Sequence, residues 1–407
     1  MYPLLQGLRV IECASFIAAP SCALHLRQLG AEVIRIDPIG GGPDFHRWPI
    51  SREGHSFYWE GLQKGKQSIA VDFSSTAGRQ LITDLITAPG RDGGILVTNF
   101  PRAGFLAHDA LAQRRSDLIT VRVMGWSDGE SGVDYTVNAG IGLPFMTGGD
   151  ANGEEPVNHV LPAWDLLTGA YAAFVTLAAE RERLRSGRGQ EITVPLSDVA
   201  LAALGNTGQI AEVLHGGDRP RHGNALFGAF GRDFATADGE RVMVVAITPR
   251  QWSALLTALQ LDAQVAAIEQ RLGLSFARDE GLRFVHRAAL FPLFEQAIAA
   301  LPLAALRARF DANGVCWGPY RTLSRGLRED PRLALDTPLF TDLLHPSGHR
   351  YPAPGPAATF TGAERAPVER APRLGEHTDD VLARLLALDV HQIGALHDAG
   401  VVAGVAA

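Results

Sequence analysis

Short β-rich runs alternate with helical runs through the first half of the chain, and this alternation restricts the possible folds more than any other feature. Residues 8–11 predict a strand, residues 18–29 a helix that ends at Gly30, and residues 31–37 a second strand. A helix of this length between two strands is typical of a βαβ unit, in which the strands are parallel. The chain therefore begins with the predicted first unit of a parallel sheet.

The same alternation continues toward residue 200. Further strands are predicted at residues 68–72, 94–98, 117–123 and 191–194, and further helices at residues 76–87 and 163–184. Repeated βαβ units predict an α/β fold with a Rossmann-like, doubly wound sheet that carries helices on both faces. On the longest helix we expect a buried apolar stripe made of Leu166, Ala170, Phe174, Leu177 and Ala178.

The pattern changes after about residue 200. Glycines and Pro220 interrupt residues 201–225, and the residues that follow predict a hairpin at the Asp238-Gly239 turn and helices through much of 250–313. A chain of 407 residues exceeds the size at which a single core stops growing. We predict a large α/β domain over residues 1–200, a linker over 201–225, a small α+β domain over 226–330, and a return segment over 331–407 that completes the large domain.

Charge and composition narrow the classes of function. Lys and Arg number 37 against 44 Asp and Glu, a net charge of −7, so the chain lacks the basic excess of a nucleic-acid-binding protein. No run approaches the roughly 20 apolar residues of a membrane span, and the first residues lack the pattern of a signal peptide. We expect a cytoplasmic protein that binds neither nucleic acid nor a membrane.

Several common catalytic and cofactor motifs are missing. No GxGxxG follows the first strand, and neither GxxxxGK[ST] nor HExxH occurs. The three cysteines are too scattered for a metal cluster or a disulfide framework. A nicotinamide enzyme, a P-loop NTPase and a metal enzyme are therefore all poorly supported.

Two aspartates are candidates for chemistry. Asp165 falls in the first turn of the long helix, where the helix dipole favours an anion, and a carboxylate held there can act as a nucleophile. Asp134 precedes the glycine-rich segment 140–149, whose backbone can approach a ligand closely. Judged from the residues alone, helix capping explains Asp165, turn chemistry explains Asp134, and His159 is a structural histidine.

Several segments, in this order and spacing, resemble the family III CoA-transferases, the group that includes formyl-CoA transferase and carnitine CoA-transferase. The segments that carry the resemblance are residues 7–12, 28–38, 64–72, 97–100, 186–190 and 371–378. The resemblance implies that Asp165 is the catalytic aspartate and that two copies of the chain form an interlocked homodimer. It also implies no metal or redox cofactor, with CoA entering as part of the substrate. The CoA-contacting positions that match are Ala18, Lys66, Asn99 and Phe100.

A second set of segments is closer to the branch of this family that moves CoA from the C1 to the C4 carboxyl of mesaconate. These segments are residues 37–42, 47–49, 133–138, 142–148, 158–165 and 228–234. The implied route passes through an aspartyl anhydride and an aspartyl-CoA thioester. We predict that Arg47 binds the second carboxylate and that residues 140–149, with Gly140 and Gly142, supply backbone N–H donors at the site.

Departures from other branches bear on the alternatives. Racemases of this superfamily need a histidine at the position of Val133, and formyl-CoA transferases carry glutamine and lysine where this chain has Ile17 and Met124. These differences argue against two activities, proton transfer at an α-carbon and formate–oxalate exchange. An intermolecular CoA-transferase that passes CoA from a dicarboxylic acyl-CoA to a free carboxylic acid remains an alternative, as does a CoA-binding protein without catalytic activity.

Overall fold

A computed structural model describes residues 1–405 and, at Asp150, the backbone alone. The strands, in chain order, are β1 (Arg9–Cys13), β2 (Glu32–Pro38), β3 (Gln67–Val71), β4 (Ile95–Thr98), β5 (Ile119–Met124), β6 (Gln190–Pro195), β7 (Phe230–Ala235), β8 (Arg241–Ala246), β9 (Cys316–Pro319), β10 (Phe340–Leu344), β11 (Arg350–Pro354) and β12 (Val402–Ala403). The strands predicted from the sequence are all present.

The helices follow the prediction in the first half and add short segments to it. They are α1 (Ala18–Gln28), α2 (Phe57–Leu62), α3 (Thr76–Thr87), α4 (His108–Arg114), α5 (Asp134–Gly140), α6 (Leu143–Met146), α7 (Ala163–Ser186), α8 (Leu196–Asn206), α9 (Gln209–Gly216), α10 (Pro249–Leu259), α11 (Asp262–Leu272), α12 (Glu280–Val285), α13 (Arg287–Ala299), α14 (Leu303–Asn313), α15 (Leu323–Glu329), α16 (Thr378–Leu386) and α17 (Val390–Asp398). Helices α8 and α9 occupy part of the segment 201–225 that we predicted as a linker.

The large sheet has the strand order β12-β3-β2-β1-β4-β5-β6. All neighbours pair in parallel except β12, which runs antiparallel to β3. The strand order reverses between β1 and β4, the arrangement of a doubly wound sheet. The predicted α/β fold with a large parallel sheet is confirmed.

Helices cover this sheet on both faces. Ile11 and Cys13 of β1 belong to a buried apolar cluster with residues of α3, α16 and α17. Glu12 alternates with them and points to the other face. There it binds the ammonium of Lys66, which also donates to the carbonyl of Pro20 in α1. One face is therefore an apolar core, and the other contains a buried ionic network beneath α1.

The chain folds into two compact units. The first comprises residues 1–141, 159–211 and 335–407, and the second comprises residues 142–158 and 212–334. The first contains the large sheet and the β10–β11 hairpin. The second contains the β7-β8-β9 sheet and its own aromatic core, in which Phe230, Trp252 and Phe294 are buried. Residues 142–158 fall in the second unit, although the sequence suggested that they continue the large domain.

The predicted buried stripe of α7 is wrong. Leu166, Ala170, Phe174 and Ala178 are exposed in the chain, and Leu177 is half-buried. The buried face instead carries small residues such as Thr168, Gly169, Ala172 and Thr176. Small side chains let the α1 backbone approach α7 closely, so close packing between the helices outweighs the burial of the larger apolar residues.

Within residues 1–405, no single helix has both the length and the apolar composition needed to cross a membrane. Helices α13 and α14 reach that length and composition only when they are taken together, and the pair is bent by 116° at the break between them. Leu290, Phe294, Leu306 and Phe310 of these two helices are buried in the aromatic core of the second unit.

Candidate active site

The loops that follow β1 and β4 meet at the point where the strand order reverses. The Asn99 side chain accepts a hydrogen bond from the backbone N–H of Ser15 at 3.1 Å and donates one to the Ser15 carbonyl at 2.9 Å. A crevice at the carboxyl ends of the strands, at such a reversal, is the usual ligand position in open α/β sheets. Phe100 follows Asn99 and packs against the apolar core, its ring centre 5.8 Å from that of Phe73.

Helix α7 is fixed beside the start of α1 by a contact that only glycine permits. A Cβ atom on Gly169 would lie 1.9 Å from Ser21 Oγ and 2.6 Å from the Ala18 carbonyl oxygen. Ala18 is the first residue of α1 and is itself buried. Because residues four apart lie on one face of a helix, Asp165 is one turn from this contact. The candidate nucleophile therefore lies near the start of α1.

Asp134 caps the N-terminus of α7. Its carboxylate is 1% exposed and accepts hydrogen bonds from the backbone N–H groups of Trp164 at 2.7 Å and Asp165 at 3.1 Å. The sequence suggested that Asp165 caps this helix and that Asp134 belongs to a turn. Asp134 performs the capping instead, so the Asp165 carboxyl is left available for other contacts.

The residues around Asp134 hold it in place. His159 Nε2 lies 2.6 Å from Asp134 Oδ1, and the His159 ring lies edge-on to Tyr135 with the ring centres 5.6 Å apart. The Trp164 indole N–H donates to Asn138 Oδ1 at 3.1 Å, which ties the first turn of α7 to α5. Helix α5 is thus linked to the segment before α7 through His159 and to the first turn of α7 through Trp164.

Burial raises the pKa of the Asp165 carboxyl to about 7, with a further rise from the charge of Asp134 and an opposing effect from Arg47. Loss of water from around a carboxyl disfavours its charged form, and a neighbouring carboxylate acts in the same direction. A carboxylate with this pKa is more basic than an ordinary aspartate yet still substantially ionised at neutral pH. Such perturbed groups are frequent at functional sites.

Arg47 lies over two aromatic rings near Asp165. Its guanidinium carbon is 5.3 Å from the centre of the Phe16 ring and 5.5 Å from that of Tyr58. The Ser56 hydroxyl, which also caps α2, donates to the Arg47 carbonyl at 2.6 Å and so fixes its backbone. Among residues 1–405 the guanidinium makes no hydrogen bond or ion pair. It is therefore free to bind an anion.

The Tyr58 hydroxyl is buried and, within the described part of the chain, has no hydrogen-bond partner. Burial raises the pKa of this phenol, and the charge of Asp165 raises it further while Arg47 lowers it. The hydroxyl is therefore a neutral donor at physiological pH. A buried donor without an acceptor is costly unless something else, such as a ligand, supplies the acceptor.

Lys66 is engaged within the protein. Its ammonium is fully buried and donates to Glu12 at 2.7 Å, Gln63 at 2.7 Å and the Pro20 carbonyl at 2.9 Å. Lys64, the neighbouring lysine, is 4% exposed and has no partner among the described residues. In this geometry Lys66 supports the start of α1 and offers no free N–H to a ligand.

The two glycines predicted at the site fall in different units. Gly140 ends α5 in the first unit and is exposed, close to the Trp126 ring. Gly142 lies in the second unit and has a left-handed φ of 82° before α6. Their role as N–H donors to a ligand stays a prediction.

Sequence reasoning missed Tyr58 and the capping role of Asp134. Tyr58 belongs to a short helix that the sequence did not predict, and an isolated tyrosine carries no local signal of function. Asp134 and Asp165 are far enough apart in sequence that only the tertiary fold shows which of them accepts the helix N–H groups. Within residues 1–405, no group of three or more His, Cys, Asp or Glu side chains has the arrangement of a metal site.

Comparisons with known proteins agree over almost the full chain. The family model described as CoA-transferase family III matches residues 5–378. A Chloroflexus aurantiacus protein named 2-methylfumaryl-CoA isomerase is 49% identical over 406 residues, which cover 99% of each chain. Another protein of that organism, named succinyl-CoA–D-citramalate CoA-transferase, is 28% identical and covers 94% of each chain.

A solved structure supports the fold. The crystal structure of a CAIB/BAIF family protein from Brucella suis has a TM-score of 0.75 to this chain at 26% identity. The alignment covers 95% of this chain and 100% of the other. The likeness extends through both units of the chain and is not limited to the large sheet.

Proposed function

Because the chain belongs to CoA-transferase family III, we propose that it is an enzyme that converts mesaconyl-C1-CoA (2-methylfumaryl-CoA) into mesaconyl-C4-CoA (3-methylfumaryl-CoA). CoA moves between the two carboxyl groups of a single diacid. The observation that carries this proposal is the 49% identity, over 99% of both chains, to a protein named 2-methylfumaryl-CoA isomerase.

Asp165 is the proposed nucleophile. Its carboxylate attacks the C1 thioester carbonyl, the C–S bond breaks, and CoA leaves as a thiolate, so that a mixed anhydride of Asp165 and mesaconate forms. The thiolate then attacks the aspartyl carbonyl, which frees mesaconate and leaves an aspartyl-CoA thioester. This covalent relay divides one difficult exchange into two easier ones. The raised pKa of Asp165 supports the assignment, since a more basic carboxylate is a better nucleophile.

The second half repeats these steps at the other end of the diacid. The C4 carboxylate of mesaconate attacks the aspartyl thioester, CoA thiolate leaves again, and a second mixed anhydride forms. The thiolate attacks the C4 carbonyl and releases Asp165. Atoms and charges balance at each step, so the proposed reaction requires no oxidant, no reductant and no redox cofactor.

Arg47 and Tyr58 are the proposed partners of the carboxylate that does not carry CoA. Among the described residues, the Arg47 guanidinium has no ion-pair partner and the buried Tyr58 hydroxyl has no acceptor. The charge of Arg47 acts on Asp165, and the charge of Asp165 acts on Tyr58. A charged donor and a neutral donor together suit a carboxylate. Bound in this way, the diacid stays close to the aspartyl thioester, which gives the second attack the advantage of a high effective concentration.

We propose that CoA binds where the β1 and β4 loops meet, near Ala18, Asn99 and Phe100. Lys66 contributes indirectly, through its hydrogen bond to Pro20 in α1. Both the anhydride and the thioester are hydrolysable, so the site must exclude water. Gly140 and Gly142 are proposed to contribute backbone N–H groups to the carbonyl oxygen as charge develops on it.

We also propose an interlocked homodimer, supported by the outer face of α7. Tyr171 is 50% exposed and Phe174 is 65% exposed on this face. Exposed aromatic side chains grouped on one helix are unfavourable in water and are typical of protein interfaces. A cytoplasmic location stays a prediction from the sequence.

The proposal predicts that purified enzyme isomerises mesaconyl-C1-CoA without any added acid. Asp165→Asn should lower the rate by at least about a thousandfold, since the covalent route is closed. Hydroxylamine added during turnover should convert Asp165 to a hydroxamate that mass spectrometry detects. Asp109→Asn, at an exposed first-turn aspartate of α4, is the matched control and should retain wild-type activity.

Two outcomes would contradict the proposal. Product that forms only when a free carboxylic acid is added would indicate an intermolecular CoA-transferase, the reaction type named for the citramalate relative. Absence of any turnover and of any modification at Asp165, with acyl-CoA still bound, would indicate a binding protein.

A further inference from the structure

We propose that His159 is a positioning residue for Asp165, because it compensates the charge of Asp134, the buried carboxylate beside the attacking group. This inference rests on the proposed function, in which Asp165 must be ionised to attack the thioester. The proposed role of His159 is to keep the Asp165 carboxylate ionised at neutral pH.

A continuous chain of contacts links His159 to Asp165. His159 Nε2 lies 2.6 Å from one oxygen of Asp134. The other oxygen accepts the backbone N–H of Asp165 at 3.1 Å and that of Trp164 at 2.7 Å. The Asp134 carboxylate therefore connects His159 to Asp165, and a change of charge on His159 is felt at Asp165 through it.

Charges of both signs act on Asp165. Asp134, on α5, opposes its ionisation, while Arg47, from the segment between β2 and α2, favours it. Tyr58, on α2, is neutral and so adds no charge beside Asp165. His159, in the segment that precedes α7, faces Asp134 and the ring of Tyr135. The ionisation of Asp165 therefore depends on how much of the Asp134 charge is compensated by a neighbouring positive charge.

Exposure distinguishes the two members of the His159–Asp134 pair. A quarter of the His159 side chain is exposed, whereas the Asp134 side chain is 1% exposed. An imidazole can carry either no charge or one positive charge, and the positive form pairs with a carboxylate. An imidazolium against Asp134 reduces the negative field at Asp165 and favours its ionised form.

The test is the pH dependence of the first acyl transfer, measured in single turnover with mesaconyl-C1-CoA and wild-type or variant enzyme. Glutamine at position 159 can still donate a hydrogen bond to Asp134, but it carries no charge. His159→Gln should move the acid limb of the profile upward by about 0.5–1 pH unit, a loss of about three- to tenfold on that limb. The rate on the alkaline plateau should stay within about twofold of wild type, since Asp165 is ionised there in both proteins.

Asp134→Asn provides a second variant with the opposite expected sign. An asparagine oxygen still accepts the N–H groups of Trp164 and Asp165, but the opposing charge is removed, so the acid limb should move downward. If His159 acts only through Asp134, the double variant His159→Gln/Asp134→Asn should have the profile of Asp134→Asn alone.

The outcomes separate this inference from the proposed function. Equal loss at every pH in His159→Gln, or an acid limb that does not move, would overturn the role of His159 while leaving acylation of Asp165 intact. Wild-type enzyme that shows no acylation of Asp165 at any pH would instead overturn the proposed function.

Discussion

At the scale of single residues, the proposed site depends on Tyr58, whose buried hydroxyl has no acceptor within the described chain. A hydrogen bond to a charged group contributes about 1.5–3 kcal/mol, so Tyr58→Phe should lower kcat/KM for mesaconyl-C1-CoA about 10- to 150-fold. Weaker binding should also release the diacid between the two half-reactions. In reactions that contain free 13C-labelled mesaconate, the wild-type product should stay unlabelled and the product of Tyr58→Phe should acquire label.

Tyr320→Phe is the matched control, because that hydroxyl lies in the second unit against Met243 Sδ. Its product should remain unlabelled and its kcat/KM unchanged. Label-free product from Tyr58→Phe at the wild-type rate would contradict a role of Tyr58 in holding the diacid.

The sequence could identify single residues only where a family resemblance supplied their role. Asp165 and Arg47 were named in that way, and the geometry brings both close enough for their charges to interact. Tyr58 and the capping function of Asp134 were not predicted, because segments near residues 16, 47, 58, 134 and 159 converge only in the tertiary structure. Lys66 matches a CoA-contacting position of the family, and in the structure its ammonium is buried in an ionic network, so a direct contact with CoA stays a prediction.

At the scale of helices and strands, the contact between α1 and α7 sets the position of Asp165. Gly169→Ala should place a methyl group against Ser21 and the Ala18 carbonyl, which costs about 1–3 kcal/mol of stability by overpacking. Thermal unfolding followed by circular dichroism should show a lower midpoint, and activity should fall as Asp165 shifts. Gly394→Ala lies in α17, where no described atom outside the helix's own backbone is within 4 Å of the added Cβ, and it should raise the midpoint slightly through its gain in helix propensity. Equal midpoints for both variants would argue against close packing at Gly169.

Most elements of the first unit were predictable because apolar residues repeat about every two residues in strands and about every 3.6 residues in helices. This pattern can be recognised within a short stretch of sequence. The buried face of α7 was not predictable, because its large apolar residues point outward and its small ones point inward. The hydrophobic pattern of a helix does not distinguish a face that contacts its own chain from one that contacts another.

At the scale of the whole molecule, that outward face predicts the oligomeric state. Phe174→Glu puts a charge on the exposed aromatic face, so it should convert a wild-type dimer to monomers and lower activity. Light scattering coupled to size-exclusion chromatography measures the mass directly. Val390→Glu, at a 76% exposed position of α17, is the control and should remain dimeric. A wild-type monomer, or a Phe174→Glu dimer of normal stability, would be evidence against this interface.

The burial of Lys64 and Lys66 has a chemical consequence for a protein that handles activated acids. These are the two lysines of the sequence, and the remaining 35 basic residues are arginines. Thioesters and anhydrides acylate unprotonated amines, whereas guanidinium stays charged and unreactive at physiological pH. A surface whose cations are guanidinium groups presents no lysine amine to acyl donors in the surrounding solution.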